Sequence, residues 1–197
     1  MSFLSLAIQH RANNWQIGGS SGAAKFILLT TRASVVATDF FDWSTAVGGD
    51  GVTALTPLAI LSNALAMAVL TATGSTASIS VKQQAVSWIG NFTPNDFVLD
   101  TNIPGDANIK VVFSLPVTAL GANIETRAFK NFNGVVSVYD VANALLATFT
   151  VAGVSAFTND GTAIFIGVRS LVGAVIKRID FTVSPIERFA INQLDFS

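Results

Sequence analysis

The chain has 197 residues, of which 51% are hydrophobic and only 12% charged, with a formal net charge of -1 and a mean hydropathy of +0.57. Its 11 Lys and Arg residues form no run longer than Lys177-Arg178, which excludes the clustered basic footprint of a nucleic-acid groove. The absence of cysteine excludes disulfides and thiolate metal sites.

The length suits one large all-β domain better than two small ones. A charged share about half that of an ordinary soluble domain leaves two readings of the surface. Either apolar area is hidden in an assembly, or the exposed face is rich in Ala, Ser, Thr and Asn.

Residues 1–35 read as an N-terminal arm and 36–197 as the folded domain. The start, Met1 to Arg11, lacks a basic n-region and is broken by Ser5 and Gln9, so it is a poor signal peptide. His10, the only histidine, lies in this stretch without a rigid core to place it, so an exposed imidazole is expected rather than a catalytic one. A flexible hinge at Gly18-Gly19-Ser20-Ser21-Gly22 precedes the apolar strand Phe26-Ile27-Leu28-Leu29.

The stretch 58–70 is made mostly of helix formers, but it is also interrupted by Ser62 and Asn63. A turn there, followed by a strand from about Ala66 to Thr73, fits an all-β chain better. No stretch reaches the ~18 uninterrupted apolar residues of a membrane-spanning helix.

Alternation of apolar and polar residues marks further strands. Over 109–115 it turns Ile109, Val111, Phe113 and Leu115 inward, with Pro116 ending the strand. Over 145–151 it turns Leu145, Ala147, Phe149 and Val151 one way. Over 175–183 it sets Val175, Ile179, Phe181 and Val183 against Ile176, Arg178, Asp180 and Thr182. Residues 163–168 are apolar on both faces, as in a covered central strand. Turn signals such as Asn133-Gly134 and Asn159-Asp160-Gly161 separate these runs. The fold class expected is an antiparallel two-sheet β-sandwich of jelly-roll or lectin-like form.

From about Ala37 onward the chain resembles a family of secreted bacterial β-sandwich proteins, many of which carry a PEP-CTERM sorting tail. The stretches that carry the resemblance are Thr38-Asp39-Phe40-Phe41-Asp42-Trp43, Ser87-Trp88-Ile89-Gly90-Asn91-Phe92-Thr93-Pro94-Asn95-Asp96, Phe113-Ser114-Leu115-Pro116-Val117, Tyr139-Asp140 with Leu145-Leu146, and the last strands through Phe196. The resemblance implies an extracellular or surface destination, a lectin-like fold and no agreed activity. No Pro-Glu-Pro tail follows Ser197, a departure from the family, so the resemblance does not carry anchoring by that route over to this chain. Ala142-Asn143-Ala144 replaces a glycine that the family often has, which puts the tightness of that hairpin in question.

Candidate chemistry is sparse. Ten of the twelve carboxylates are Asp, and Asp50, Asp106 and Asp160 read as turn caps. Calcium is a possible cofactor, with Asp39 and Asn192 as candidate ligands; a hydrogen bond to a neighbouring loop is the plainer reading of Asn192. Trp88, with Asn91, Asn95 and Asp96 nearby in sequence, offers a sugar platform and directional hydrogen bonds. Trp43 and Trp88 suit an inter-sheet core as well. The 15 phenylalanines against one tyrosine tilt the balance toward dry packing.

The function expected is a non-enzymatic extracellular structural protein, a homo-oligomer or polymer in which Phe26, Ile27, Leu28 and Leu29 add a strand to a neighbouring subunit. The alternative is a carbohydrate-binding module whose partner is a glycan.

Overall fold

The computed structural model describes residues 25–73, 78–101 and 108–197. His10, Trp15, the glycine-rich stretch at 18–22 and Asp106 lie outside them. In chain order the described residues form β1 (Phe26–Leu29), β2 (Asp39–Phe41), the short helix α1 (Trp43–Ala46), β3 (Thr53–Leu55), β4 (Leu58–Leu61), β5 (Met67–Thr73), β6 (Ser78–Gln83), β7 (Phe97–Asp100), β8 (Asn108–Val117), β9 (Ala119–Thr126), β10 (Asn131–Tyr139), β11 (Leu145–Val154), β12 (Ile164–Ser170), β13 (Ile176–Ser184), β14 (Phe189–Ile191) and β15 (Leu194–Phe196). A single 3-10 turn, Arg32–Val35, follows β1. No helix among the described residues is long and apolar enough to cross a membrane.

The strands make two antiparallel sheets. One runs β1-β12-β9-β14-β7-β6-β3, with β15 joining β2 to β9, and the other runs β11-β10-β13-β8-β5-β4. Strands β7 to β14 alone fall in the orders β12-β9-β14-β7 and β11-β10-β13-β8, the interlocked Greek keys of a jelly roll. The expected fold class is therefore the one observed.

The shared layer between the sheets is aromatic and branched aliphatic. Phe41 stacks on Trp43 and Phe196, and Phe113 meets Phe41 and Phe196. The indole of the fully buried Trp43 donates to the Asn192 carbonyl at 2.8 Å, which satisfies its one polar atom. Two smaller clusters cover the outer face of the nine-stranded sheet: Trp88, Phe92, Val98, Ala163 and Ala190, and Leu29, Val35, Ala119 and Phe165.

Several expectations meet their outcome here. Residues 58–70 form β4, a turn and β5, not a helix. Asp39 holds that turn by accepting from the Ala64 backbone at 2.9 Å and from the Ser62 hydroxyl, while the Ser62 oxygen accepts from the Ala66 backbone at 2.8 Å. Residues 163–168 are buried except Ile164, which is partly exposed, so the strand is covered on both faces over 165–168. Asn143 supplies the left-handed residue of the β10-β11 hairpin at φ 63°, a conformation asparagine tolerates, so the absent glycine leaves the turn tight.

Three strand phases are corrected, the first in β11, where a register shift leaves Leu145 58% exposed and sets Leu146 against the core with Ala147, Phe149 and Val151. The register between β13 and β8 slips between Ile176 and Arg178, so Ile176 is buried and Leu115 is 75% exposed, each the reverse of simple alternation. The strand also runs through Pro116 to Val117. The arm boundary at residue 35 is corrected as well. β1 pairs with β12 of its own chain, Leu28 opposite Val168, and Arg169 holds the 3-10 turn by donating to the Ser34 and Val35 carbonyls, both at 2.8 Å. Residues 25–35 thus belong to the sandwich, because Phe26 and Leu28 find the core while Ile27 and Leu29 find the outer cluster.

β9 and β12 approach closely where Gly121 pairs with Gly167. A Cβ at Gly167 lies 2.5 Å from the Leu120 carbonyl oxygen, a backbone atom that cannot yield by a rotamer change. Gly167→Ala is expected to destabilise the fold by about 1–3 kcal/mol, read from the urea midpoint; an unchanged midpoint contradicts this packing.

Candidate functional site

The loop between β6 and β7 carries the four residues read as a glycan site, and it folds down onto the sheet rather than out into solvent. Ala85 takes a left-handed conformation at φ 67°; its amide accepts the return of the chain by donating to the Trp88 carbonyl at 2.8 Å. Trp88 is fully buried against Phe92, so the platform reading is corrected to the core reading. Asn91 is also buried: it donates to the Thr162 hydroxyl at 2.9 Å and accepts from the Ala156 backbone at 2.6 Å, tying the loop to the β11-β12 connection. Asn95 is the left-handed residue of a turn at φ 73°, and Asp96 accepts from Asn192 at 3.1 Å. The structure brings the four into one loop but leaves no aromatic surface among them.

Beneath this loop lies Glu125, which the sequence reading passed over. It occupies the outer face of β9, opposite Ala190 of β14, and is fully buried. Its Oε2 accepts from the Asn91 backbone at 2.7 Å, and the space a side chain at Gly90 needs is filled by its carboxyl group. Burial pushes the carboxyl up to about 7 against the backbone hydrogen bond from Asn91. The Trp88 side chain opposes the shift as well, Gln84 Oε1 and Arg127 Nη1 are buried without a hydrogen-bond partner among the described residues, and the Arg127 guanidinium stands 5.1 Å over the Trp88 ring. A carboxyl that is half protonated near neutrality suits acid-base chemistry, but a catalytic acid must reach its substrate. Glu125, under Gly90 and Trp88, instead couples the loop to a proton. The one trace in the sequence is an acid on a strand face otherwise made of Ala119, Gly121 and Asn123.

Asn192 and Asp39, read as calcium ligands, have structural partners. Arg32 reaches from the 3-10 turn to pair with Asp195 and to donate to Asn192 at 2.8 Å and Asn123 at 3.1 Å. The Asn192 oxygen also accepts from the Asn123 backbone at 2.9 Å. A guanidinium on that oxygen opposes a second cation, so the plainer reading of Asn192 holds. Asp39 is committed to the turn after β4. No group of three His, Asp or Glu that suits a metal occurs among the described residues.

The residues read as an assembly strand sit on the open flank of the sandwich. β1 is the margin of one sheet and β11 the margin of the other, and β12 packs across the layer against both β10 and β11. Phe26, Leu28, Ala147, Phe149 and Val151 touch the core from this flank but are only partly buried. Their neighbours on β10, Phe132, Val136 and Val138, are at most 4% exposed. β11 has ten residues without a charge or a proline. The opposite flank is closed by the chain itself, which passes from β3 in one sheet to β4 in the other through Thr56-Pro57.

No protein-family model matches the chain, and no curated protein matches it. Among solved structures it is similar to a DUF4465 family protein from Bacteroides caccae ATCC 43185, at 8% identity and a TM-score of 0.44, over 87% of this chain and 100% of that one. It is also similar to the enzymatically active domain of bacteriophage CBA120 tailspike protein 4, at 15% identity and a TM-score of 0.34, over 66% of this chain and 19% of that one. Neither likeness bears on function.

The raised value of Glu125 fixes the sign of one pH effect. The folded state binds this proton more tightly than the unfolded chain, so the stabilisation is complete below about 4.5 and is lost as pH rises through about 7. The loss amounts to at most about 3 kcal/mol. Glu125→Gln removes that dependence, so its urea midpoint is expected to rise relative to that of the wild type as pH goes from 5 to 8; a midpoint that stays level with or falls relative to the wild type over this range contradicts the assignment.

Proposed function

We propose that this protein is a non-enzymatic structural subunit of an extracellular layer or filament, and that its copies associate along the flank formed by β1 and β11. The observation that carries the reading is the unfinished edge at β11. A ten-residue strand without charge or proline ends its sheet, with no further strand beside it among the described residues, which is the arrangement that templates pairing with another strand. Soluble monomers blunt such edges with Lys, Pro or a bulge; β11 has neither Lys nor Pro, and its register shift falls at its first residues, where Leu146 is skipped. Here the inward-facing Phe149 and Val151 are left half-covered as well, so pairing adds apolar burial to the backbone hydrogen bonds.

Two β11 strands meeting antiparallel about a two-fold axis join two six-stranded sheets into one and cover both copies' Phe149 and Val151. Such an isologous contact closes as a dimer. Growth requires a second surface, and the end of the sandwich beyond β8 offers one. A depression of about 490 Å3 there is rimmed by Leu65, Met67 and Leu115, which are 72%, 56% and 75% exposed. The expected donor of the strand thus changes from the N-terminal arm to β11, with β1 as its neighbour across the layer. The extracellular setting rests on the sequence resemblance, and the low charge of the chain accords with a subunit that spends its surface on contacts.

Sedimentation and light scattering test the reading. The wild-type protein is expected to exceed the 20.6 kDa of one chain, Val151→Lys to revert to monomer, and Leu115→Lys to stop at the dimer. A wild-type protein that stays monomeric up to millimolar concentration contradicts it.

A further inference from the structure

A second feature lies on the outer face of the six-stranded sheet, at the Val154 end of β11. A groove of about 380 Å3 runs between the ends of β10, β11 and β13, lined by Asn131, Asn133, Val154, Ser184 and Pro185 over a floor that includes Phe132. Its size is within the ~300–1,000 Å3 of small-molecule sites. No charged side chain lines it.

Asn131 and Asn133 face outward at adjacent same-face positions of β10, and both are exposed. Neither amide has a partner among the described residues, in contrast to Asn91, Asn123 and Asn192, which are all engaged. An amide presents a donor and an acceptor side by side. Two of them about 7 Å apart along one strand face match the spacing of hydroxyl groups on neighbouring sugar rings better than that of a single ionised group.

The two strands that pair through Asn131 and Val154 continue into loops whose Phe129 and Phe157 rings stack on each other. These rings are 40% and 61% exposed. Exposed aromatic faces are rare among the described residues, where Trp43, Trp88, Phe41, Phe92, Phe181 and Phe189 are fully buried. A stacked pair held at the surface beside free amides offers an apolar plate next to directional hydrogen bonds, the combination that suits the two faces of a pyranose ring.

We propose that this groove binds a neutral oligosaccharide, with Phe157 and Phe129 as the stacking plate and Asn131 and Asn133 as the hydroxyl-reading pair. The absence of charge in the lining selects against uronic acids, sulfated sugars and phosphate. The groove includes Ala152, Gly153 and Val154 of β11, and the Val154 carbonyl accepts from Asn91 of the Trp88 loop at 3.3 Å, so binding is measured in an association-blocked form as well as in the wild type.

The test is titration of the full chain, by calorimetry and by amide shifts, with defined oligomers of neutral hexoses, pentoses and N-acetylhexosamines, and with oligogalacturonate as the acidic comparison. Thr148→Lys, which charges the β11 edge and lies outside the groove lining, serves as the association-blocked form and is expected to bind as the wild type does. Binding of a neutral oligomer that weakens about tenfold or more in Asn133→Ala and in Phe157→Ala, with far-ultraviolet circular dichroism and melting unchanged, is the expected result. Both positions are exposed, so folding is retained. Binding that survives both substitutions, preference for oligogalacturonate, or no binding to any neutral oligomer each overturns the proposal.

Discussion

Two β-sheets that share one apolar layer leave that layer open wherever the sheets end, unless the chain or another molecule covers the margin. On one flank of this protein the chain covers it, since β3 and β4 belong to opposite sheets and are joined by two residues. On the other flank β1 and β11 end the two sheets without a connection between them. The difference shows in the side chains, which are buried on β10 and half-covered on β11. Everything distinctive about the surface follows from that asymmetry.

The few charges are distributed in keeping with it. Arg32 with Asp195 and Arg188 with Asp100 pin the outer face of the nine-stranded sheet; Arg188 and Asp100 meet through two bonds, one of 2.9 Å from Nε. Such bidentate pairs fix geometry as well as supply energy. Arg178 pairs with Asp180 and lies 3.7 Å over the Tyr139 ring. Charge is thus concentrated where loops and turns are fastened to the sheets. β11 has none, and a strand edge without charge lacks the usual defence against pairing. The nine-stranded sheet is covered on its outer face by the Trp88 loop and the 3-10 turn, which leaves the six-stranded sheet as the face available for ligands.

Much of the architecture was legible in the sequence because it is written in local alternation. The turn at Ser62 and Asn63, the doubly covered β12 and the inward set Ile109, Val111 and Phe113 all follow from period two and turn chemistry. Leu115 and Ile176 were misread because a register slip is a property of two strands at once, and one strand's pattern does not contain it. The site residues were harder still. Trp88 looks alike as a platform and as a core residue until the loop that carries it is seen to fold inward. The partner of Asn192 is Arg32, 160 positions away, a pairing that no spacing rule reaches. Glu125 stood out in nothing but its residue type, since its burial is created by Gly90 and Trp88 from another part of the chain.

The central claim is that β11 is an unfinished edge which a second copy completes. Amide hydrogen exchange compared between dilute and concentrated protein tests it most directly, because backbone groups that gain partners exchange more slowly. Slowed exchange with concentration across Leu145–Val154, with β3 and β4 unchanged, is the predicted result. Exchange along β11 that is fast and independent of concentration would contradict it.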